Sequence, residues 1–182
     1  MAQKDDDLGL FTCIPEAPPY PAQEKYQAHL LDQYKLYVEM ADRVSSRRLS
    51  TNSYFLSINS AILAFLGYVT SKNSNEYLCL LGISGIPISI LWFFSITSYR
   101  DLNTAKFKVI HQIEKQLPLS LYYAEWNAMG CGKNPALYRP LSHIERIVPW
   151  VFFVLHLYVF IRTFPWHKIF SYFSICFQFI KN

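Results

Sequence analysis

"ADRVSSRRLSTNSYFLSINS", residues 41–60, starts as a charged helical surface and ends as an apolar one, with no Gly or Pro between its halves. A helix that runs unbroken through this stretch climbs out of water and into a lipid bilayer. Upstream, "AQEKYQAHLLDQYKLYVEMADRVSSRRLS" holds no helix breaker after Pro21. Leu30, Tyr34, Tyr37, Ala41 and Val44 recur at spacings of 4, 3, 4 and 3, the seam of a coiled-coil-like helix. Asp32 with Lys35, and Glu39 with Arg43, are spaced to pair on its outer faces. The seam suits either packing on the middle of the same chain or a contact between subunits, and both readings stay open.

Composition points the same way. A chain of 182 residues that is 52% hydrophobic, 17% aromatic and only 16% charged is too oily for an ordinary soluble domain. The apolar residues fall in blocks. Between Arg48 and Lys72, and again between Glu76 and Arg100, no residue is charged. Each window exceeds the roughly 20 residues that cross a hydrocarbon core of about 30 Å. A third apolar stretch, Ile147 to Ile161, reaches about 22 Å at helical rise and spans only if Arg162 snorkels and "TFPW" completes the exit. The expected class is all-α: a polytopic helical membrane protein with two or three transmembrane helices and cytoplasmic helical extensions.

The expected organisation is an extended or disordered lead-in over 1–21, then a cytoplasmic amphipathic helix over 22–50. Transmembrane helices follow at 51–71 and 77–99, then a cytoplasmic helical segment over 100–146. A third transmembrane or membrane-embedded helix over 147–166 leads to an interfacial C-terminal helix over 167–182, whose apolar part is too short to cross. The opening "MAQKDDDLGLFTCIPEAPPYP" is acidic and then proline-rich, the opposite of a secretory signal. Lysines and arginines crowd the segments before the first window and between Arg100 and Arg146, with Lys72 alone in the intervening turn. The positive-inside rule therefore places the N-terminus and the middle segment in the cytoplasm and the Lys72 turn outside. The net charge of +4 follows from this bias and lacks the basic–aromatic interleaving that a nucleic-acid groove needs, so nucleic acid is not expected as a partner.

Within the windows, Ser57, Ser60, Ala64 and Gly67 share one face of the first span, and Gly82, Gly85 and Ser89 share one face of the second. Small residues let helices approach closely in lipid, so an antiparallel hairpin packed through these faces is the economical model. Asn59 and His156 are polar groups that lipid penalises and that should face protein or water. They fit an interhelical hydrogen bond or, in a functional reading, a pore or sensor. "DLNTAKFKVIHQIEKQL" places Leu102, Ala105, Val109, Ile113 and Leu117 on an amphipathic helix stopped by Pro118. "LSLYYAEWNAMG" reads as a short helix closed by Gly130. Ser142 and Glu145 in "SHIE" fit a capping box for the helix entering the third apolar stretch, with Pro149 in its second turn. His111 and Glu114 share a helical face, which usually means a solvated surface.

Cys13, Cys79, Cys131 and Cys176 lie far apart, with no C-x-x-C pair and no His at ligand spacing, so neither a disulfide framework nor a zinc site is indicated. His111, Glu114, Glu125, His143 and Glu145 form no nucleophile pattern, metal motif or phosphate cradle. The chain is expected to be non-enzymatic and to need no cofactor.

"EMADR" and "RR...TNSYF" between Glu39 and Phe55, the Glu125–Trp126 pair, and "Y.PLSHIE..VPW" from Tyr138 to Trp150 resemble the RipA-like family of small octameric bacterial inner-membrane proteins. The resemblance covers most of residues 24–155. It implies a multi-pass inner-membrane homo-oligomer of eight subunits with cytoplasmic parts, and supplies no catalytic residues. The expected partners are the chain itself, membrane lipid and an unidentified cytoplasmic protein or ligand. The expected role is a scaffold or sensor; the rival is a gated pore or membrane-disrupting effector in stress response or phage defence.

Overall fold

The computed structural model describes residues 8–11, 23–71, 75–134 and 144–166. The lead-in other than 8–11, Ser142 of the capping box and the interfacial helix expected over 167–182 lie outside the described residues. Among the described residues the regular elements are helical: α1 Gln23–Ser71, α2 Asn75–Glu114, α3 Leu121–Ala128, a 3-10 turn Gly130–Gly132, and α4 Ile147–Thr163. The stretch 41–60 lies inside α1, which runs through it as one uninterrupted helix. Both α1 and α2 carry a window long and apolar enough to cross a bilayer, while α4 is a shorter apolar helix.

The chain divides into two compact units, Met1–Asn52 with Phe94–Arg146, and Ser53–Phe93 with Ile147–Asn182. In the apolar unit, 53–93 with 147–182, the inward face of α1 is Asn59, Leu66 and Val69, with Ile62 and Leu63 beside them. Leu66, Val69 and Leu78 form a buried cluster closed by Leu81 and Val159. A second cluster centres on Trp92, whose ring stacks on Phe55 at 6.0 Å and lies 5.8 Å from Phe152.

This arrangement corrects the hairpin expected from the small residues. Ser57, Ser60, Ala64 and Gly67 are exposed. At about 100° per residue they fall nearly opposite Asn59, Ile62, Leu66 and Val69. The face that buries larger side chains makes more contact and wins the intrachain position. The small face of α2 is used instead against α4. Gly82 and Gly85, one turn apart, meet Phe160 and His156, also one turn apart; a Cβ on Gly82 would stand 3.0 Å from the Phe160 amide nitrogen, and one on Gly85 would overlap the His156 ring.

Pro149 stands in the first turn of α4, not the second, because the helix begins at Ile147 after a turn at Arg146. There its missing N–H has no intrahelical acceptor to lose. At the other end the Trp166 indole N–H donates to the Ile161 carbonyl at 3.0 Å, satisfying one of the carbonyls a helix end leaves open.

In the charged unit, 1–52 with 94–146, α1 and the later part of α2 run antiparallel. Thr51 Oγ1 meets the Tyr99 hydroxyl at 3.4 Å near one end, and Tyr34 meets Glu114 near the other. The seam read from sequence faces α2 within the chain: Ala41 and Val44 are buried and Leu30, Tyr34 and Tyr37 half-buried. Both expected surface pairs form, Lys35–Asp32 at 3.7 Å and Arg43–Glu39 at 2.8 Å. The amphipathic face expected on α2 is displaced. Of the expected residues Leu102 and Ala105 are exposed, Val109 and Leu117 half-buried and Ile113 buried, and Ile113 is joined inside by Lys106, Ile110 and Glu114. Burial of Lys106 displaces the ridge, since its stem packs inward while its ammonium sits 4.5 Å from the Tyr37 ring centroid.

Gly85→Ala is expected to overpack α2 against α4 and destabilise the chain by about 1–3 kcal/mol. Thermal unfolding in detergent measures this, and adding His156→Ala should recover most of the loss.

Candidate functional site

Glu114 closes α2 and has no exposed surface. Its Oε1 accepts from the Tyr34 hydroxyl at 3.1 Å and from the Tyr122 N–H at 2.9 Å, and its Oε2 accepts from the Tyr123 N–H at 3.0 Å. Tyr122 and Tyr123 are the second and third residues of α3, so their amides are donors that a helix start leaves unpaired. Ser120, at the N-cap, makes no side-chain bond to α3 and donates to the Glu114 carbonyl instead, at 3.3 Å. The carboxylate of α2 thus caps α3, its negative charge set against the positive end of that helix dipole. An eight-residue helix is not stable alone. This one is held by the cap and by two edge-on aromatic contacts, Tyr122 on Phe107 at 5.6 Å and Tyr123 on His111 at 5.8 Å.

Burial, then the hydrogen bond to Glu114 and its negative charge, push the Tyr34 hydroxyl up to about 12. Tyr34 therefore stays a neutral donor wherever the fold persists. Beside it a groove of about 470 Å³ follows α1, lined by apolar Val38, Ala41, Phe107 and Ile110, by Tyr122 of α3, and by the exposed Lys35, Glu39 and Asp42. α3 ends at Ala128 and is followed by Gly130 at φ +67°, the left-handed closure the sequence suggested. Cys131, at φ +53°, donates its thiol to Asn127 Oδ1 at 3.2 Å. Glu145 stands 3.7 Å from Arg48, with both side chains about four-fifths buried.

In the apolar unit the two polar residues singled out from sequence are both fully buried. Asn59 donates to the Phe55 carbonyl at 2.8 Å and accepts from the Ser89 hydroxyl at 3.1 Å, joining α1 to α2. His156 presses on Gly85, and neither of its ring nitrogens has a hydrogen-bond partner among the described residues. Among the described residues no group of three His, Cys, Asp or Glu is placed to hold a metal ion.

Sequence reasoning missed Glu114, read as solvated, and Lys106. The available signal was the phase of Ile110 and Ile113: a helix that buries both also carries Glu114 inward, eight and nine residues ahead of the orphan amides of Tyr122 and Tyr123 in "SLYY".

The model of the octameric membrane protein family (8xMP) matches residues 31–165. That span contains the Glu114 cap, the groove and the Asn59–Ser89 pair. No curated protein and no solved structure matches the chain.

Glu114→Ala strips the acceptor from two helix-start amides at about 1–3 kcal/mol for each unpaired group, so hydrogen exchange across 121–128 should accelerate at least tenfold. Tyr34→Phe should cost about 1 kcal/mol. Because the folded Tyr34 value lies above the ordinary 10.0, its contribution is fully present below pH 10 and lost toward about 12. Alkaline unfolding should show the wild-type advantage over Tyr34→Phe vanishing across that window.

Proposed function

The chain belongs to the octameric membrane protein family, and from that premise we infer that it is a non-enzymatic, multi-pass protein of the bacterial inner membrane. It assembles as a homo-octamer whose charged units form a cytoplasmic scaffold or sensor layer. One observation carries the non-catalytic reading. Buried polar side chains in both units, Asn59, Ser89 and Glu114, are spent on joining helices. Glu114, a carboxylate with no exposed surface, has its oxygens committed to two amides and a hydroxyl. A conducting pore would want Asn59 or His156 open to water, and both are enclosed within their own unit, which lends that rival no support.

The orientation follows from the charge bias. The N-terminus and residues 100–146 lie on the cytoplasmic side, the Lys72 turn outside, and lipid covers the exposed apolar side chains of the spans. A symmetric assembly gives every copy the same neighbours, so a signal met by one cytoplasmic unit is met in the same geometry by all.

The detergent-solubilised particle should have a protein mass eight times 21.3 kDa. Reconstituted in vesicles it should leave an ion gradient intact. Reporter fusions at Met1 and within 100–146 should read cytoplasmic and one at Lys72 external. A monomeric mass or a leaking vesicle would overturn the corresponding part of the reading.

A further inference from the structure

Two contacts in the charged unit bring three segments to one level. Thr51 Oγ1 donates to the Tyr99 hydroxyl at 3.4 Å, and Arg48 Nε stands 3.7 Å from Glu145 Oε2. Arg48 and Thr51 are about one turn apart on α1. Arg100, next to Tyr99, and Arg146, next to Glu145, are therefore both carried to the same turn of that helix. The sequence marks this level as the edge of the hydrocarbon: Arg48 is the last charge before the first uncharged window, Arg100 the first after the second, and Arg146 the last before the apolar run of α4.

The arginines here are not equally engaged. Arg48 is four-fifths buried and balanced by Glu145. Arg100 lies 3.9 Å from Asp101, but the two side chains are 42% and 66% exposed, where such a pair gains little. Arg146 is half-buried and Arg47 exposed, and neither forms an ion pair among the described residues. Guanidinium thus outnumbers carboxylate at the depth where the phosphates of a bilayer lie. A guanidinium grips phosphate with parallel N–H donors, a geometry an ammonium lacks. A zwitterionic headgroup brings its own cation to the same place and weakens the match, whereas an anionic one strengthens it.

We propose that Arg100 and Arg146 form a site for one anionic phospholipid of the cytoplasmic leaflet, each guanidinium donating to its phosphate. Glu145 is the positioning residue, since its hold on Arg48 keeps the segment bearing Arg146 against α1. The leaflet rests on the orientation inferred above, while the site itself does not.

The test uses the full-length particle in neutral detergent, titrated with fluorescent phosphatidylglycerol or phosphatidylcholine. Phosphatidylglycerol should bind one per chain and at least about tenfold more tightly. Arg100→Gln and Arg146→Gln should each weaken it about fivefold and leave phosphatidylcholine unchanged. Arg100 is exposed enough for its replacement to spare the fold, so that result stands even if Arg146→Gln unfolds. Arg47→Gln is the control and should change little; an equal loss there would mean a diffuse positive field and overturn the proposal. Glu145→Gln separates the two ideas by sign. Removing a negative charge tightens binding in a diffuse field, but loosening Arg146 weakens it, and a tightened complex overturns the positioning role. Full displacement of the lipid by equimolar inorganic phosphate would make this a site for soluble anions and overturn the assignment to lipid. Reporter fusions read the leaflet separately: an external signal from residues 100–146 overturns the orientation and the leaflet, with binding in micelles unaffected.

Discussion

A backbone amide in hydrocarbon has no water to turn to, so each must be satisfied inside its own helix, and this constraint shapes the chain before any side chain is considered. It makes α1 and α2 long and unbroken through their apolar windows. It also limits how α2 recognises α4 on one side and α1 on the other. With no hydrophobic drive between helices in lipid, contact must come from close approach and from polar groups that find each other. Gly82 and Gly85 supply the first and the Asn59–Ser89 hydrogen bond the second. Pro87 lies within α2 without ending it, as proline does in membrane helices.

The charged unit solves the complementary problem. In water the hydrophobic effect is available, but a short element such as α3 has too little apolar surface turned inward to use it. The solution is one buried carboxylate. A charge with no exposed surface is costly unless every lone pair that matters is engaged. Burial of Glu114 is therefore favoured by α3 docked on it, and the start of α3 is favoured by Glu114 in place. The two conditions define a single cooperative joint at the end of α2, with Tyr34 linking it back to α1.

Much of the fold was legible because period and charge are one-dimensional signals. The seam from Leu30 to Val44, the two uncharged windows, the surface ion pairs at Asp32–Lys35 and Glu39–Arg43, and the closure of α3 at Gly130 all follow from spacing alone. What was not legible is which face a helix turns inward. Ser57 to Gly67 and Leu102 to Leu117 are both regular stripes, yet the first loses to a ridge nearly opposite it and the second, which keeps only Ile113 fully inward, to one lying to its side. On α1 the competing ridge buries larger side chains; on α2 it carries Lys106, whose placement over Tyr37 makes burial acceptable. The Glu114 cap was hidden for a related reason. Its acceptors and donors belong to different helices, and no local motif joins a carboxylate to amides eight and nine residues on.

The two units therefore use their surfaces in opposite ways. In the apolar unit the bulky ridge of α1 is consumed within the chain and the small ridge is left outside, where lipid or another helix meets it at low cost. In the charged unit the seam is also consumed within the chain, and Leu119 and Leu121 stay exposed beside a helix that buries nothing of its own. What holds that helix is therefore not apolar contact area but the carboxylate of Glu114, which has no exposed surface and engages two of the amides at the helix start.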